Sequence, residues 1–178
     1  MNKMNKNRFF VLTGVNTSGK SSIVKILKQK NIYNLKILEL DDKPVPKVGR
    51  TYWQDYRIEE LIVESRDILQ NSTGKVLIAG VILPHRIEIS KRFVPELFNP
   101  AYILLNLDKD TLYERLHKRH KNDNTLSQDY LSNLYNHNLH IKTILYNETF
   151  TRKFGYLLNT SDTNIEDNVN AIVDILKK

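Results

Sequence analysis

The feature that most constrains the fold is the segment 14–21, which reads Gly-Val-Asn-Thr-Ser-Gly-Lys-Ser. It matches the pattern G-x-x-x-x-G-K-[ST] at every fixed position. An apolar run at 9–13 precedes the segment, and residues 22–28 follow it with the apolar spacing of a helix. A strand, a glycine-rich turn and a helix in this order are the context that the pattern requires. We therefore expect this segment, called the phosphate loop below, to bind phosphate groups.

The chemistry of the phosphate loop follows from its residue types. Gly14 and Gly19 permit backbone conformations that point successive N–H groups at phosphate oxygens, and the amino end of a helix adds partial positive charge. Lys20 is placed to reach β- and γ-phosphates, and the Ser21 hydroxyl is a ligand for Mg²⁺. The loop predicts ATP and Mg²⁺ as cofactors, with a nucleotide-binding set of Gly14, Asn16, Thr17, Ser18, Gly19, Lys20, Ser21 and Ser22.

Composition narrows the class of protein. The 178 residues include no cysteine, which excludes disulfides, thiolate metal sites and cysteine nucleophiles. No apolar run approaches the roughly 20 residues that span a bilayer, so we expect no membrane partner and a cytoplasmic location. A net charge of +7 favours anionic partners, either nucleotides or nucleic acids. Because Lys and Asn are abundant throughout, nucleic acid is the less favoured partner.

Apolar runs and helical patterns alternate along the chain. Strands are predicted at 9–13, 35–40, 75–79, 102–107 and 154–158, and helices at 52–70, at 127–147 and after 163, where Thr163 and Glu166 fit a capping box. Parallel strands need crossover connections. The pattern therefore predicts one domain, 1–178, with a five-stranded parallel sheet in a three-layer α/β/α arrangement. Ligands of such sheets bind beyond the carboxyl ends of the strands.

The residues after the second and third strands are candidates for the acceptor site. Asp41 and Asp42 can orient an acceptor hydroxyl, take its proton or support Mg²⁺ through water, although aspartates at such positions also serve as turn residues. Ala79 and Gly80 stand where many phosphate-loop enzymes carry a metal-serving aspartate. Arg86 can hold an anionic substrate or be a solvated charge.

Two further segments contribute candidates. Arg115 and Arg119 are four residues apart, so they share a helix face and can stabilise charge on a transferred phosphate, unless they form a solvated basic face. The polar stretch 121–125 interrupts the helix, and we expect a lid at about 115–127. Arg50 and Trp53, in the 43–57 connection, are candidate acceptor-binding residues; an aromatic side chain there stacks on a base or packs in the core.

Taken together, these features resemble the nucleoside-monophosphate-kinase-like branch of the phosphate-loop kinases. The resemblance rests on the phosphate loop, on Asp41-Asp42, on Arg115-x-x-x-Arg119 and on residues 159–161 after the fifth strand. It implies a P-loop NTPase fold and places Thr160 near the adenine ring. Within the branch, the arrangement is similar to chloramphenicol phosphotransferase and to polynucleotide 5′-hydroxyl kinases, and it implies that Asp41 or Asp42 acts on the acceptor hydroxyl.

The functional expectation is an ATP- and Mg²⁺-dependent phosphotransferase acting on a small-molecule acceptor. A nucleoside, a nucleotide or a similar metabolite is the leading acceptor class, and Lys20, Asp41, Asp42, Arg115 and Arg119 are the expected catalytic residues. One alternative is a polynucleotide 5′-hydroxyl kinase, which the basic charge favours. The other is a non-catalytic ATP-binding regulatory protein, which the missing carboxylate after the third strand favours. We expect a monomer or a homodimer.

Overall fold

The computed structural model describes residues 8–45, 50–90, 100–121, 127–151 and 155–178. Strands and helices alternate over these ranges. The strands are β1 (Phe9–Gly14), β2 (Leu35–Glu39), β3 (Lys75–Gly80), β4 (Ala101–Asn106) and β5 (Gly155–Asn159). The helices are α1 (Lys20–Gln29), α2 (Arg50–Asn71), α3 (Pro84–Ser90), α4 (Lys109–His120), α5 (Gln128–Thr151) and α6 (Ile165–Lys177), and a 3₁₀ turn, Leu40–Asp42, follows β2.

The five strands form one parallel sheet in the order β2-β3-β1-β4-β5. β1 lies at the centre, because it pairs with β3 on one side and with β4 on the other. The connections from β1 and from β3 leave toward opposite edges of the sheet, so the strand order reverses beside the carboxyl end of β1. In open α/β sheets this is the place where ligands bind. The phosphate loop begins there.

Both faces of the sheet are buried, which explains why β1 is apolar without alternation. Phe9 and Val11 pack on the face that α2 and α3 cover, in a group of residues called the α2-side cluster. Phe10 and Leu12 pack on the opposite face, against α1 and α6. A third cluster joins α4 and α5 to the end of β4. The predicted three-layer architecture is confirmed.

Side chains cap the starts of α4 and α6. Asp108 caps α4, since its carboxylate accepts a hydrogen bond from the Thr111 N–H at 2.7 Å. Hydrogen bonding by Ser161 and Thr111 lowers the pKa of Asp108. The capping box of Thr163 and Glu166 is wrong, because α6 begins one residue later than that box requires. Asn164 is the cap and accepts a hydrogen bond from the Asp167 N–H, while the Thr163 hydroxyl donates to the carbonyl oxygen of Asn159, the last residue of β5.

Within the described ranges, no helix is both long enough and apolar enough to cross a membrane.

Candidate functional site

The phosphate loop curls over the end of β1 and leads directly into α1. Gly19 has a φ of 98° and Thr17 a φ of 63°, both in the left-handed region. Gly14 is required for a different reason, namely space, because a Cβ there would lie 2.7 Å from Ser18 Oγ and 2.8 Å from the Leu105 carbonyl oxygen. The loop backbone is therefore held close to β4 while its far end supplies the amino terminus of α1.

The Lys20 ammonium lies folded back into the loop. Its Nζ donates to the carbonyl oxygens of Gly14 and Val15 at 2.8 and 2.7 Å, and to Ser18 Oγ at 3.2 Å. Burial lowers the pKa of Lys20 to about 8, a nearby Asp41 carboxylate raises it, and the Arg119 guanidinium lowers it further. Two predicted site residues, Asp41 from the turn after β2 and Arg119 from α4, therefore lie within electrostatic reach of Lys20 in α1.

The two adjacent carboxylates after β2 have different surroundings. Asp42 Oδ1 accepts from Arg57 Nη2 at 2.5 Å, and Arg57, only 4% exposed, also donates to Glu60 at 2.9 Å. Burial alone would lower the pKa of Arg57, but hydrogen bonds with Glu60 and Asp42 raise it above its usual range. Asp41 is exposed, and no hydrogen bond or ion pair from the described residues reaches its carboxylate. Asp42 thus compensates a buried charge, whereas Asp41 faces solvent near Lys20.

Gly80 explains why the end of β3 carries no carboxylate. A Cβ at this position would lie 2.5 Å from the Cβ of Leu40, which is buried. The turn that holds Asp41 and Asp42 therefore crosses directly over the end of β3, and only glycine leaves room for it.

Arg115 joins the phosphate loop to the connection between β5 and α6. Its Nη2 donates to the Thr160 carbonyl oxygen at 2.7 Å, and its Nη1 makes a long contact of 3.4 Å with the Thr17 carbonyl oxygen. Thr160 is buried, and its N–H and its hydroxyl both donate to the Asn106 carbonyl oxygen. Arg119, one helical turn beyond Arg115, is exposed. Ser21 and Ser22 are exposed in the first turn of α1.

Two residues that the sequence analysis missed support the loop. Thr13 Oγ1 donates to the Ile82 carbonyl oxygen at 2.9 Å and accepts from its N–H at 3.1 Å, which ties the end of β1 to the segment after β3. Asn138 of α5 is 2% exposed, and its Oδ1 accepts from the Asn16 N–H at 3.0 Å. A signal for Asn138 exists, because it occupies an apolar-face position of α5, seven residues after Leu131.

The remaining predicted acceptor residues lie along α2 and α3. The Arg86 guanidinium forms an ion pair with Asp55 of α2. Trp53 is half-buried and packs against the α2-side cluster, which is the core alternative for this aromatic side chain. The Arg50 side chain lies outside the described part of the structure, as do residues 122–126 of the predicted lid.

No protein-family model matches the chain, and no curated protein matches its sequence. Solved structures do match over nearly its whole length. A gluconokinase from Sinorhizobium meliloti covers 97% of this chain and 93% of its own, at 17% identity and a TM-score of 0.62. A shikimate kinase from Bacteroides thetaiotaomicron covers 95% and 98%, at 17% identity and a TM-score of 0.60. The fold is that of the P-loop kinases. A thymidylate kinase from Candida albicans, 14% identical with a TM-score of 0.62, has the same P-loop kinase fold over 97% of this chain and 92% of its own.

Proposed function

We propose that this chain is an ATP- and Mg²⁺-dependent phosphotransferase that moves the γ-phosphate to a small-molecule hydroxyl. The observation that carries the proposal is that the Lys20 ammonium lies inside the phosphate loop, with the Asp41 carboxylate and the Arg119 guanidinium close enough to shift its pKa. A cation inside the loop, a second cation within electrostatic reach of it and a solvent-facing carboxylate are the groups that phosphoryl transfer needs. The three kinases with the same fold support the proposal, since each is named for a different small molecule.

Lys20 and the loop N–H groups would hold the β- and γ-phosphates. The ammonium now donates to two loop carbonyls and to a hydroxyl, and phosphate oxygens would replace those acceptors. Arg115 is placed by Thr160 at the edge of the loop, where it would contact the nucleotide, and Arg119 would stabilise charge on the transferred group. We also propose that residues 115–127 act as a lid within a single domain.

The donor set fits Mg²⁺. The Ser21 hydroxyl is exposed in the first turn of α1, and Asp41 offers carboxylate oxygens nearby; both are hard oxygen ligands of the kind that Mg²⁺ prefers. When bound, the ion neutralises charge on the β- and γ-phosphates. We assign Ser21 as its protein ligand.

We assign Asp41 as the carboxylate that acts on the acceptor. The acceptor oxygen would form a bond to the γ-phosphorus while the bond from that phosphorus to the bridging oxygen breaks and ADP leaves. Asp41 would orient the acceptor hydroxyl and accept its proton. Asp42 is engaged with Arg57 and would hold the turn in place. The resemblance to chloramphenicol phosphotransferase-like kinases supports a catalytic aspartate after the second strand, and a nucleoside or a related metabolite is the acceptor class we favour.

The test is a transfer assay with γ-labelled ATP and a panel of hydroxyl acceptors. Label should move to one acceptor class, and Lys20→Met should reduce the rate by about a hundredfold or more while circular dichroism shows an intact fold. Lys28→Met, at an exposed lysine of the same helix, is the matched control and should leave the rate unchanged. Full activity of folded Lys20→Met would refute the proposal.

The same transfer assay also tests the two alternative functions, each of which is favoured by one observation. The net charge of +7 favours a polynucleotide 5′-hydroxyl kinase, and label on oligonucleotides, with binding that weakens steeply as salt rises, would establish it. The absence of a carboxylate at the end of β3 favours a regulatory ATP-binding protein. Tight ATP binding without transfer to any acceptor would establish that function instead.

A further inference from the structure

Two cations near the turn after β2, Arg57 and Lys43, already have carboxylate partners. Arg57 contacts Asp42 and Glu60, and Lys43 Nζ lies 2.9 Å from the same Glu60 carboxylate. Hydrogen bonds from Lys43 and Arg57 lower the pKa of Glu60, so this group stays ionised. These cations and carboxylates therefore neutralise one another and present no net positive charge to a ligand.

The same holds for Arg86, the residue that the sequence made a candidate for an anionic substrate. Its Nη1 contacts Asp55 Oδ1 across the gap between α2 and α3, and the pair is part of the wall of a cavity of about 310 Å³. This cavity, called the α2–α3 cleft, is lined by residues that include Asp55, Glu59, His85, Arg86, Ile89 and Ser90. Because the charges of Arg86 and Asp55 cancel, the Glu59 carboxylate gives the described lining a net negative charge.

Hydrogen bonds connect the helices that line the α2–α3 cleft to the residue before the phosphate loop. The Gln54 amide near the start of α2 donates to the Val81 carbonyl oxygen at 2.7 Å, which holds this part of α2 against the segment that leads into α3. The next residue of that segment, Ile82, is hydrogen-bonded to Thr13, directly before the loop. The cleft is therefore formed by α2 and by the helix that follows the carboxyl end of β3, and ligands of open α/β sheets bind at that edge of the sheet.

One polar side chain that lines the cleft, His85, is held by a carboxylate. His85 Nδ1 lies 2.6 Å from Glu148 Oε1, and the His85 N–H donates to the other carboxylate oxygen at 3.0 Å. In the neutral imidazole, a carboxylate at Nδ1 selects the tautomer that carries its proton there, and Nε2 is then a hydrogen-bond acceptor. Hydroxyl groups are suitable donors to Nε2 and to the Glu59 carboxylate.

From these contacts we infer that the acceptor is an uncharged or cationic hydroxyl compound, and not a phosphate- or carboxylate-bearing one such as a nucleoside monophosphate. The inference rests on the proposed function, because it concerns the acceptor side of that site. An anionic acceptor would have to break the pair of Arg86 and Asp55 or approach Glu59 without compensation, and like-charge contact of this kind discriminates strongly between ligands.

The experiment compares acceptors that differ by one anionic group. The pairs are thymidine with thymidine 5′-monophosphate, sorbitol with gluconate, and glucosamine with glucosamine 6-phosphate. Titration calorimetry is done with the phosphate loop saturated by a non-hydrolysable ATP analogue, so that further binding reports the acceptor side. In each pair that binds, the uncharged or cationic member should bind at least about tenfold more tightly than its partner. Equal binding, or tighter binding of the anionic member, in any pair would overturn the inference.

A variant tests the charge argument directly, including the case in which no wild-type pair binds. Asp55→Asn should release the Arg86 charge and strengthen binding of thymidine 5′-monophosphate or inorganic phosphate by about tenfold. Asp67→Asn makes the same charge change farther along α2, beside Arg66, and should have no such effect. Asp55→Ala is the second variant if Asp55→Asn does not fold. No gain of anion binding in either folded variant would overturn the inference.

Transfer measured on the same panel separates the two proposals. Label on the uncharged or cationic members supports both. Label confined to monophosphates or carboxylates supports the phosphotransferase and overturns the acceptor inference. Selective binding of the uncharged or cationic members without any transfer supports the acceptor inference and contradicts the proposed reaction.

Discussion

Under the proposed function, the lowered pKa of Lys20 should make the affinity for ATP depend on pH. In the free protein this pKa is about 8, against an ordinary value of 10.5 for lysine, mainly because of burial. Bound phosphate oxygens favour the charged ammonium and raise the pKa in the complex. Since the charged form binds the phosphates, affinity should be constant below pH 8 and should fall as pH rises through 8.

The magnitude follows from linkage. Above the free-protein pKa, each pH unit costs about tenfold in affinity, because Lys20 must take up a proton before it engages the phosphates. With a pKa of about 8, the dissociation constant for ATP should rise by about 25-fold between pH 7.5 and 9.5. The γ-phosphate itself and surface carboxylates are already ionised throughout this window.

Titration calorimetry at several pH values, with Mg²⁺ in excess, measures this curve. Lys20→Met is the reference, because its affinity should be weak and independent of pH. The dissociation constant of Lys20→Met divided by that of the wild type should therefore fall by the same factor of about 25 between pH 7.5 and 9.5. The charges near Lys20 provide a second test of the same pH curve. Asp41→Asn should move the midpoint of the curve to lower pH, because Asp41 raises the pKa of Lys20, and Arg119→Gln should move it to higher pH, because Arg119 lowers that pKa.

A constant affinity of the wild type over this range would refute the reasoning. So would an equal fall in Lys20→Met, since the titrating group would then be another residue. Midpoints that move in the opposite directions in Asp41→Asn and Arg119→Gln would contradict the arrangement of these charges around Lys20.

Three further predictions concern the residues around the loop. Asp41→Asn should lower the transfer rate by about a hundredfold with little change in urea unfolding. Asp42→Asn should instead lower the free energy of unfolding by about 1–3 kcal/mol, because it removes the negative charge that compensates the buried Arg57. The reverse pattern would exchange the roles assigned to the two aspartates. Gly80→Ala should lower that free energy by about 1–3 kcal/mol in thermal unfolding, because its Cβ meets Leu40, and an unchanged midpoint would contradict this packing. Asn138→Leu should raise the dissociation constant for ATP more than Asn138→Asp, which keeps the acceptor for the loop N–H; equal affinities would exclude that role.

The strands of the sheet could be predicted from the sequence because burial determines their apolar residue pattern. β1 is covered on both faces, so its apolar run is unbroken, and the glycine-rich turn after it has few structural solutions. The predicted strands agree with the observed ones to within about a residue at each described end. The start of α6 was misplaced because Thr163 and Asn164 are both good caps, and local sequence does not decide between neighbouring capping residues.

The site was less accessible to sequence reasoning because its contacts join distant parts of the chain. Asn16 and Asn138 are 122 residues apart, and 69 residues separate Thr13 from Ile82. No local pattern encodes such a pair. A polar residue on an apolar helix face is a sign of a buried contact, but it does not name the partner. The pairing of Arg86 with Asp55 likewise depends on how α3 packs against α2.

The two aspartates after β2 show how geometry resolves what residue type leaves open. They lie in a 3₁₀ turn, in which successive side chains point about 120° apart. Only one of two adjacent carboxylates can therefore face the buried Arg57 guanidinium, and that one is Asp42. Asp41 is then turned away from Arg57, into solvent and within electrostatic reach of Lys20. Fixing Asp42 on a buried cation thus fixes the direction of Asp41, which is why we propose Asp41 for the chemistry and Asp42 as its anchor.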